Sequence, residues 1–261
     1  WIPYSVISKF SSDIWYGFHL FLIPFTWLGN EILGLNLAGT AITVIAVLIF
    51  YYSVLRAGIL RPYFWPFLLL FSSPYVLYRF TMARPHVFSL ALSALFFIFA
   101  AEGVFWGVFF TSFAIAFLHL ALFWLPILIF IVVGATKFFS EKIFDWRSAL
   151  ALIGGILAGG LLRPNTWGAA KIAYTQIFDL FAAKQGGIPL NFAMELFPMP
   201  AGDLVIFLPF IFLWLLAGFV FFKILFSGKA SAAALPRERL FLWASLGLST
   251  VFFLMTLFIA Q

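Results

Sequence analysis

The sequence predicts an all-α protein, a polytopic transmembrane bundle of about eight membrane helices with one further helix lying on its outer surface. Three observations carry that prediction. Of 261 residues, 65% are hydrophobic and 9% charged, and the mean hydropathy is +1.13; a soluble surface of this size needs far more charge. The apolar residues come in long Leu-, Ile-, Phe- and Ala-rich runs without the alternation of a membrane barrel, so helices must satisfy the backbone in lipid. Basic residues fall unequally on alternate connections, the asymmetry that orients a multi-pass chain.

The elements follow in order within a single transmembrane domain covering 1–261. The chain opens at Trp1 with no methionine, basic leader or cleavage site, and is read as a piece of a longer protein. Residues 1–34 form a first outer loop. Within it, 14–28 is rich in Trp, Tyr and Phe and interrupted by Pro24, which suits a helix lying flat at the interface. Runs able to cross about 30 Å of hydrocarbon at about 1.5 Å per residue follow near 36–56, 62–78, 85–101, 104–120, 122–138, 147–162, 204–226 and 240–260. Pro66, Pro74 and Ser72-Ser73 should bend or shorten the second. Gly154, Gly155, Gly159 and Gly160 give the sixth a smooth face that includes a Gly-xxx-Gly pair, for close helix approach. The long outer loop 163–203 carries Lys171, Asp179, Lys184, the Gly186-Gly187 turn and Phe197-Pro198-Met199-Pro200, with 167–183 as its helical part. Residues 227–238 read as a plain inner connection, and no inverted repeat is visible.

With the connection after the first span placed inside, Arg56, Arg61, Lys137, Lys142, Arg147, Lys223, Lys229, Arg237 and Arg239 are inside and Lys9, Arg79, Arg84, Arg163, Lys171 and Lys184 outside. Nine against six becomes nine against three once the long translocated loop is set aside. All three histidines, with Asp13, Arg79, Arg84, Arg163, Asn165, Glu195 and Asp203, then lie on the outer side. The outer face is the working face. The absence of cysteine removes disulfides and thiolate metal sites.

Ser11-Ser12-Asp13 ahead of the aromatic run is an ordinary helix-capping arrangement. Asp13 is also one of five outer acids, with Glu31, Asp179, Glu195 and Asp203. Tyr16 and Gly17, three and four residues on, would share its helix face and leave room for a substrate. Cap and catalytic base both stand on these grounds. His19 and Glu195 are further candidates on the acceptor side. In Tyr78-Arg79-Phe80-Thr81-Met82-Ala83-Arg84-Pro85-His86, two guanidiniums and an imidazole at the mouth of a bundle suit a phosphate, because guanidinium binds its oxygens bidentately; snorkelling anchors are the plain alternative. His119 and Arg163-Pro164-Asn165 end spans at the same face, as packing residues or as further phosphate contacts. No metalloprotease helix motif, nucleotide loop or paired acidic motif occurs. A divalent metal is compatible with the sequence, but Asp13 has no carboxylate neighbour to share one.

Together, an acidic residue in the first outer loop, Arg84-Pro85-His86 opening a membrane helix, His119 near the outer end of the next and Arg163-Pro164-Asn165 closing a later one resemble the bacterial GT-C superfamily of membrane glycosyltransferases. That group includes protein mannosyltransferases and aminoarabinose-type lipid A transferases. The resemblance covers most of the chain in hydropathy and topology. It implies an enzyme of the inner (plasma) membrane whose active face is extracytoplasmic. A hexosyl or pentosyl unit would pass from a polyprenyl-phosphate donor, among membrane lipid and with no nucleic acid involved, to an acceptor. It makes Asp13 the base, and Arg84, His86, Arg163 and Arg79 holders of the departing phosphate. Members commonly carry a helix before the acidic loop, further helices at the end and two paired acids where this chain has Asp13 alone. The alternative is a carrier or flippase for an anionic lipid or lipid-linked sugar, against which the expected absence of buried charge inside the spans and of repeats counts. A non-enzymatic membrane subunit is a third reading.

Overall fold

A computed structural model describes residues 12–72, 74–179, 182–183, 186, 208, 211–212, 214–216, 218–220, 223 and 236–259. The expected span 204–226 lies largely outside the described residues, as do Lys9, Lys184, Glu195, Asp203, the Gly186-Gly187 turn as a unit, the Pro-rich run at 197–200 and most of the connection at 227–238. Among the described residues every regular element is helical. In order they are α1 (Tyr16–Thr26), α2 (Glu31–Arg56), α3 (Phe64–Phe71), α4 (Pro74–Thr81), α5 (Pro85–Glu102), α6 (Phe105–Leu118), α7 (Trp124–Glu141), α8 (Trp146–Leu161), α9 (Thr166–Tyr174) and α10 (Pro236–Ile259). A single 3₁₀ turn, Leu120–Leu122, leads into α7, and a π turn, Thr175–Asp179, follows α9.

Three stretches are long and apolar enough to cross a membrane, Glu31–Arg56, Pro85–Glu102 and Leu120–Ser140. This supports a membrane protein and a count coarser than the eight expected crossings. The shorter apolar helices α1, α6 and α8 have 11, 14 and 16 residues. The second expected span is two eight-residue helices. Its interruption sits at Ser72, whose hydroxyl donates to Leu69 O at 2.8 Å, and the chain restarts at Pro74, a residue that needs no amide partner in a first turn.

The chain divides into two compact units, Trp1–Ile131 with Asp145–Gly186, and Val132–Phe144 with Gly187–Gln261. In the first unit α5 and α6 form a hairpin. Gly103 at φ +70° closes α5, with Gly103 N bonded to Ala100 O at 3.3 Å and Val104 N to Phe99 O at 2.9 Å, a Schellman turn whose left-handed position favours glycine. Helices α6 and α8 run parallel and nearly in backbone contact. A Cβ on Gly155 would strike Ser112 Oγ and Phe109 O, and one on Gly159 would strike Phe113 O and lie 3.0 Å from Ala116 Cβ. The Gly-xxx-Gly face is thus spent on packing, as its composition implies. Helix α2 runs parallel to α5, and their C-terminal ends are joined by Arg56 Nε to Glu102 Oε2 at 2.7 Å, with the Arg56 guanidinium 4.9 Å from the centre of the Phe99 ring.

Between α1, α2, α4, α5 and α6 lies a core of Phe18, Ile42, Ala46, Phe80, Val87, Phe88 and Ile115. Buried hydroxyls inside it fold back on their own helices, Ser89 to Pro85 O at 3.2 Å and Ser93 to Ser89 O at 2.6 Å, which satisfies them without breaking the apolar packing. In the second unit Trp214 Nε1 donates to Ser249 Oγ at 2.9 Å. Lys137, on the α7 part of that unit, is 8% exposed inside the Leu120–Ser140 stretch. This corrects the expectation that no charge is buried within a span.

Candidate functional site

The hairpin and the two parallel pairs place the N-termini of α2 and α5 and the C-termini of α6 and α8 at one end of the first unit. Asp13, His19, Arg84, His86, His119, Arg163 and Asn165 gather at that end. Arg56, Glu102 and the Asp145 cap of α8, which accepts from Ser148 N at 3.1 Å, lie at the other.

The segment carrying Asp13 is tied down on both sides. Ser12, 8% exposed, donates from Oγ to Asn165 O at 3.0 Å. Ile14 is buried among Leu120, Ala169, Ile172 and Ala173, a burial contributing about 1.5–3 kcal/mol, and its carbonyl accepts from Leu120 N at 3.0 Å. Asp13 O accepts from Arg163 Nη1 at 3.2 Å. With neighbours and backbone fixed, the Asp13 carboxylate projects from a rigid base. One oxygen accepts from Trp15 N at 2.8 Å and the other meets His19 Nδ1 at 2.6 Å. The N-cap of α1 is Trp15, so Asp13 forms an Asx turn two residues ahead of it instead of the expected cap.

Several expected roles change on this geometry. Gly17 leaves no room for a substrate, because the space a Cβ would take there is filled by the Phe117 ring and its carbonyl at 2.8 Å. Tyr16 is half-buried with its ring edge-on to Phe117 at 6.0 Å. Asn165 opens α9: its Oδ1 accepts from Gly168 N at 3.0 Å, at φ +49°, a left-handed position that asparagine tolerates. Arg163 is 5% exposed and acts as a clamp. Besides Asp13 O, its Nη2 reaches Ala116 O, Phe117 O at 3.2 Å and Gly159 O at 3.3 Å. The first two are last-turn carbonyls of α6, where a cation is also favoured by the helix dipole. Burial pushes the guanidinium's pKa down and Asp13 pulls it back up. Its Nε has no hydrogen-bond partner among the described residues.

The expected phosphate cluster is only partly assembled. Arg79 and His86 line a cavity of about 380 Å³ with Val76, Phe80, Val87, Leu90, Leu122 and Leu125. Arg84, the residue preceding α5, is exposed. His119 Nδ1 lies 3.2 Å from Ser89 Oγ, a residue about one turn of α5 on from His86. Trp15 stands edge-on to both His19, at 6.1 Å, and His119, at 6.3 Å, and so links the Asp13–His19 pair to His119. Sequence reasoning missed Ser89 and Trp15. Ser89 could have been found as the residue one turn on from His86, and Trp15 from its place beside Asp13. Glu195 lies outside the described residues. Among the described residues no three His, Asp or Glu side chains stand together as a metal ligand set.

Comparison with protein-family models, with curated proteins and with solved structures found no match.

Proposed function

We propose that the protein is a membrane glycosyltransferase of GT-C type. It crosses the inner (plasma) membrane about eight times and transfers a sugar from a polyprenyl-phosphate donor to an acceptor hydroxyl at the end of the first unit where Asp13 lies, the extracytoplasmic end. The observation that carries this reading is the 2.6 Å Asp13–His19 contact, held on a fixed segment at the same end as a cavity lined by Arg79 and His86. Transfer needs a base at the acceptor and positive charge at the departing phosphate. A carboxylate–imidazole pair suits the first requirement. Arg79, His86 and the exposed Arg84 suit the second, and the apolar remainder of the cavity suits a lipid chain. Arg163 serves from behind, by holding the backbone of Asp13.

The test is Asp13→Asn in the full-length protein, assayed with a labelled polyprenyl-phosphate sugar. Transfer should fall by about 100-fold or more while insertion and thermal stability are kept; undiminished turnover would remove Asp13 from its role. One observation favours the carrier reading, Lys137 buried within an apolar stretch, since buried charge often marks a transport path. Movement of a labelled lipid-linked sugar across vesicles, with no transfer to any acceptor, would decide for it.

A further inference from the structure

We infer that the acceptor's proton goes to Nε2 of His19, with the Asp13 carboxylate behind it as a positioning residue. This deepens the glycosyltransferase reading and rests on it. Both Asp13 oxygens are engaged by the protein's own donors, Trp15 N at 2.8 Å and His19 Nδ1 at 2.6 Å. A ring nitrogen that close to an ionised oxygen must carry the proton, since two lone pairs would otherwise face each other. The free lone pair of a neutral ring is then at Nε2. The His19 side chain is 51% exposed and that of Asp13 37%, so the imidazole is the more accessible partner.

The ring is also held in place. Trp15 stands edge-on at 6.1 Å and Phe18 tilted at 6.2 Å, and His19 N bonds to Trp15 O at 2.9 Å. The carboxylate is fixed in turn through Arg163, Ser12 and Ile14. A fixed carboxylate and an imidazole that it holds in one tautomer, on a half-exposed side chain, are the parts that orient a histidine base. Imidazoles as a class are also about two pK units more basic than carboxylates, closer to a neutral working pH.

In the step itself the acceptor oxygen bonds to the anomeric carbon as its proton passes to Nε2. The bond from that carbon to the donor phosphate oxygen breaks, and its electron pair leaves on polyprenyl phosphate. Asp13 stabilises the imidazolium that forms, which afterwards returns its proton to water.

The experiment uses the full-length protein in lipid nanodiscs with ¹⁵N-labelled histidine. The chain has three histidines, so the His19 signals can be assigned by their loss in His19→Gln. At alkaline pH, with the ring neutral, the proton should sit on Nδ1. Asp13→Asn, whose amide can present an N–H to Nδ1, should move it to Nε2. In kinetics, His19→Gln should lower kcat by about 100-fold or more with the KM for donor little changed, and added imidazole should restore part of the rate of His19→Ala. A wild-type His19 protonated on Nε2 overturns the assignment. So does wild-type kcat in both His19 variants; if Asp13→Asn is then inactive, Asp13 is itself the base and the glycosyltransferase reading stands. Wild-type protein that transfers no sugar overturns that reading, and this role with it.

Discussion

The two ends of the first unit use the same chemical parts, an arginine and a carboxylate, in opposite ways. At one end Arg56 and Glu102 pair with each other at 2.7 Å, half-covered and backed by the Phe99 ring. The pair pins the C-terminus of α2 to that of α5. At the other end Arg163 donates to four main-chain carbonyls, and the nearby acid, Asp13, turns its side chain to an exposed imidazole. An arginine that finds a carboxylate partner completes a joint. One that takes carbonyls instead leaves the carboxylate for other chemistry. The clamp bears the structural load and the Asp13–His19 pair carries little of it, so substitutions at the two should separate stability from activity.

The largest stability effect should come from Arg163→Met. Four carbonyls lose their donor, two of them in the last turn of α6, and we expect a loss of about 3–5 kcal/mol, read as a large drop in thermal midpoint in detergent micelles. A variant as stable as wild type would end the description of Arg163 as a clamp. Glu102→Gln should cost about 1 kcal/mol, since an amide oxygen still accepts from Arg56 but the ion pair is gone. A loss as large as that of Arg163→Met would erase the distinction between the two ends. Asp13→Asn should be smallest, about 0.5 kcal/mol or less, because the pair is exposed and the Asx turn survives in asparagine. A strongly destabilised Asp13→Asn protein would make the pair a structural element after all.

Much of the fold was legible because prolines, glycines and apolar runs act locally. Pro85 and Gly103 mark the ends of α5, the double-glycine steps mark the face of α8, and Ser72 with Pro74 breaks the second apolar run. Helix α2 begins at Glu31, not near 36, because Asn30 caps it through Leu33 N at 3.0 Å, a signal that hydropathy does not register. The site was harder to read. Asp13 and His19 are six residues apart, a spacing that on a helix separates two residues by about 120° around the axis and about 9 Å along it; they meet because Asp13 lies outside α1, in the turn before it. Arg163 and Asn165 look like ligand residues in sequence, since nothing local reveals that the carbonyls of α6 and the amides of α9 will claim them. Close approach of α6 and α8, a long-range event, decides both.

The shortness of α6 and α8 has a consequence for the lipid around them. At about 1.5 Å per residue they run about 21 and 24 Å, against about 39 Å for α2 and about 30 Å for a bilayer's hydrocarbon. On the proposed reading, in which both cross, a pair this short draws the leaflets together, at a fraction of a kcal/mol for each ångström of mismatch. The membrane beside them would dip, and headgroups would sink toward the end where Arg163 holds Asp13. The polyprenyl-phosphate donor of the proposed reaction would then reach His19 by sliding along a sloping leaflet, with its chain still in oil.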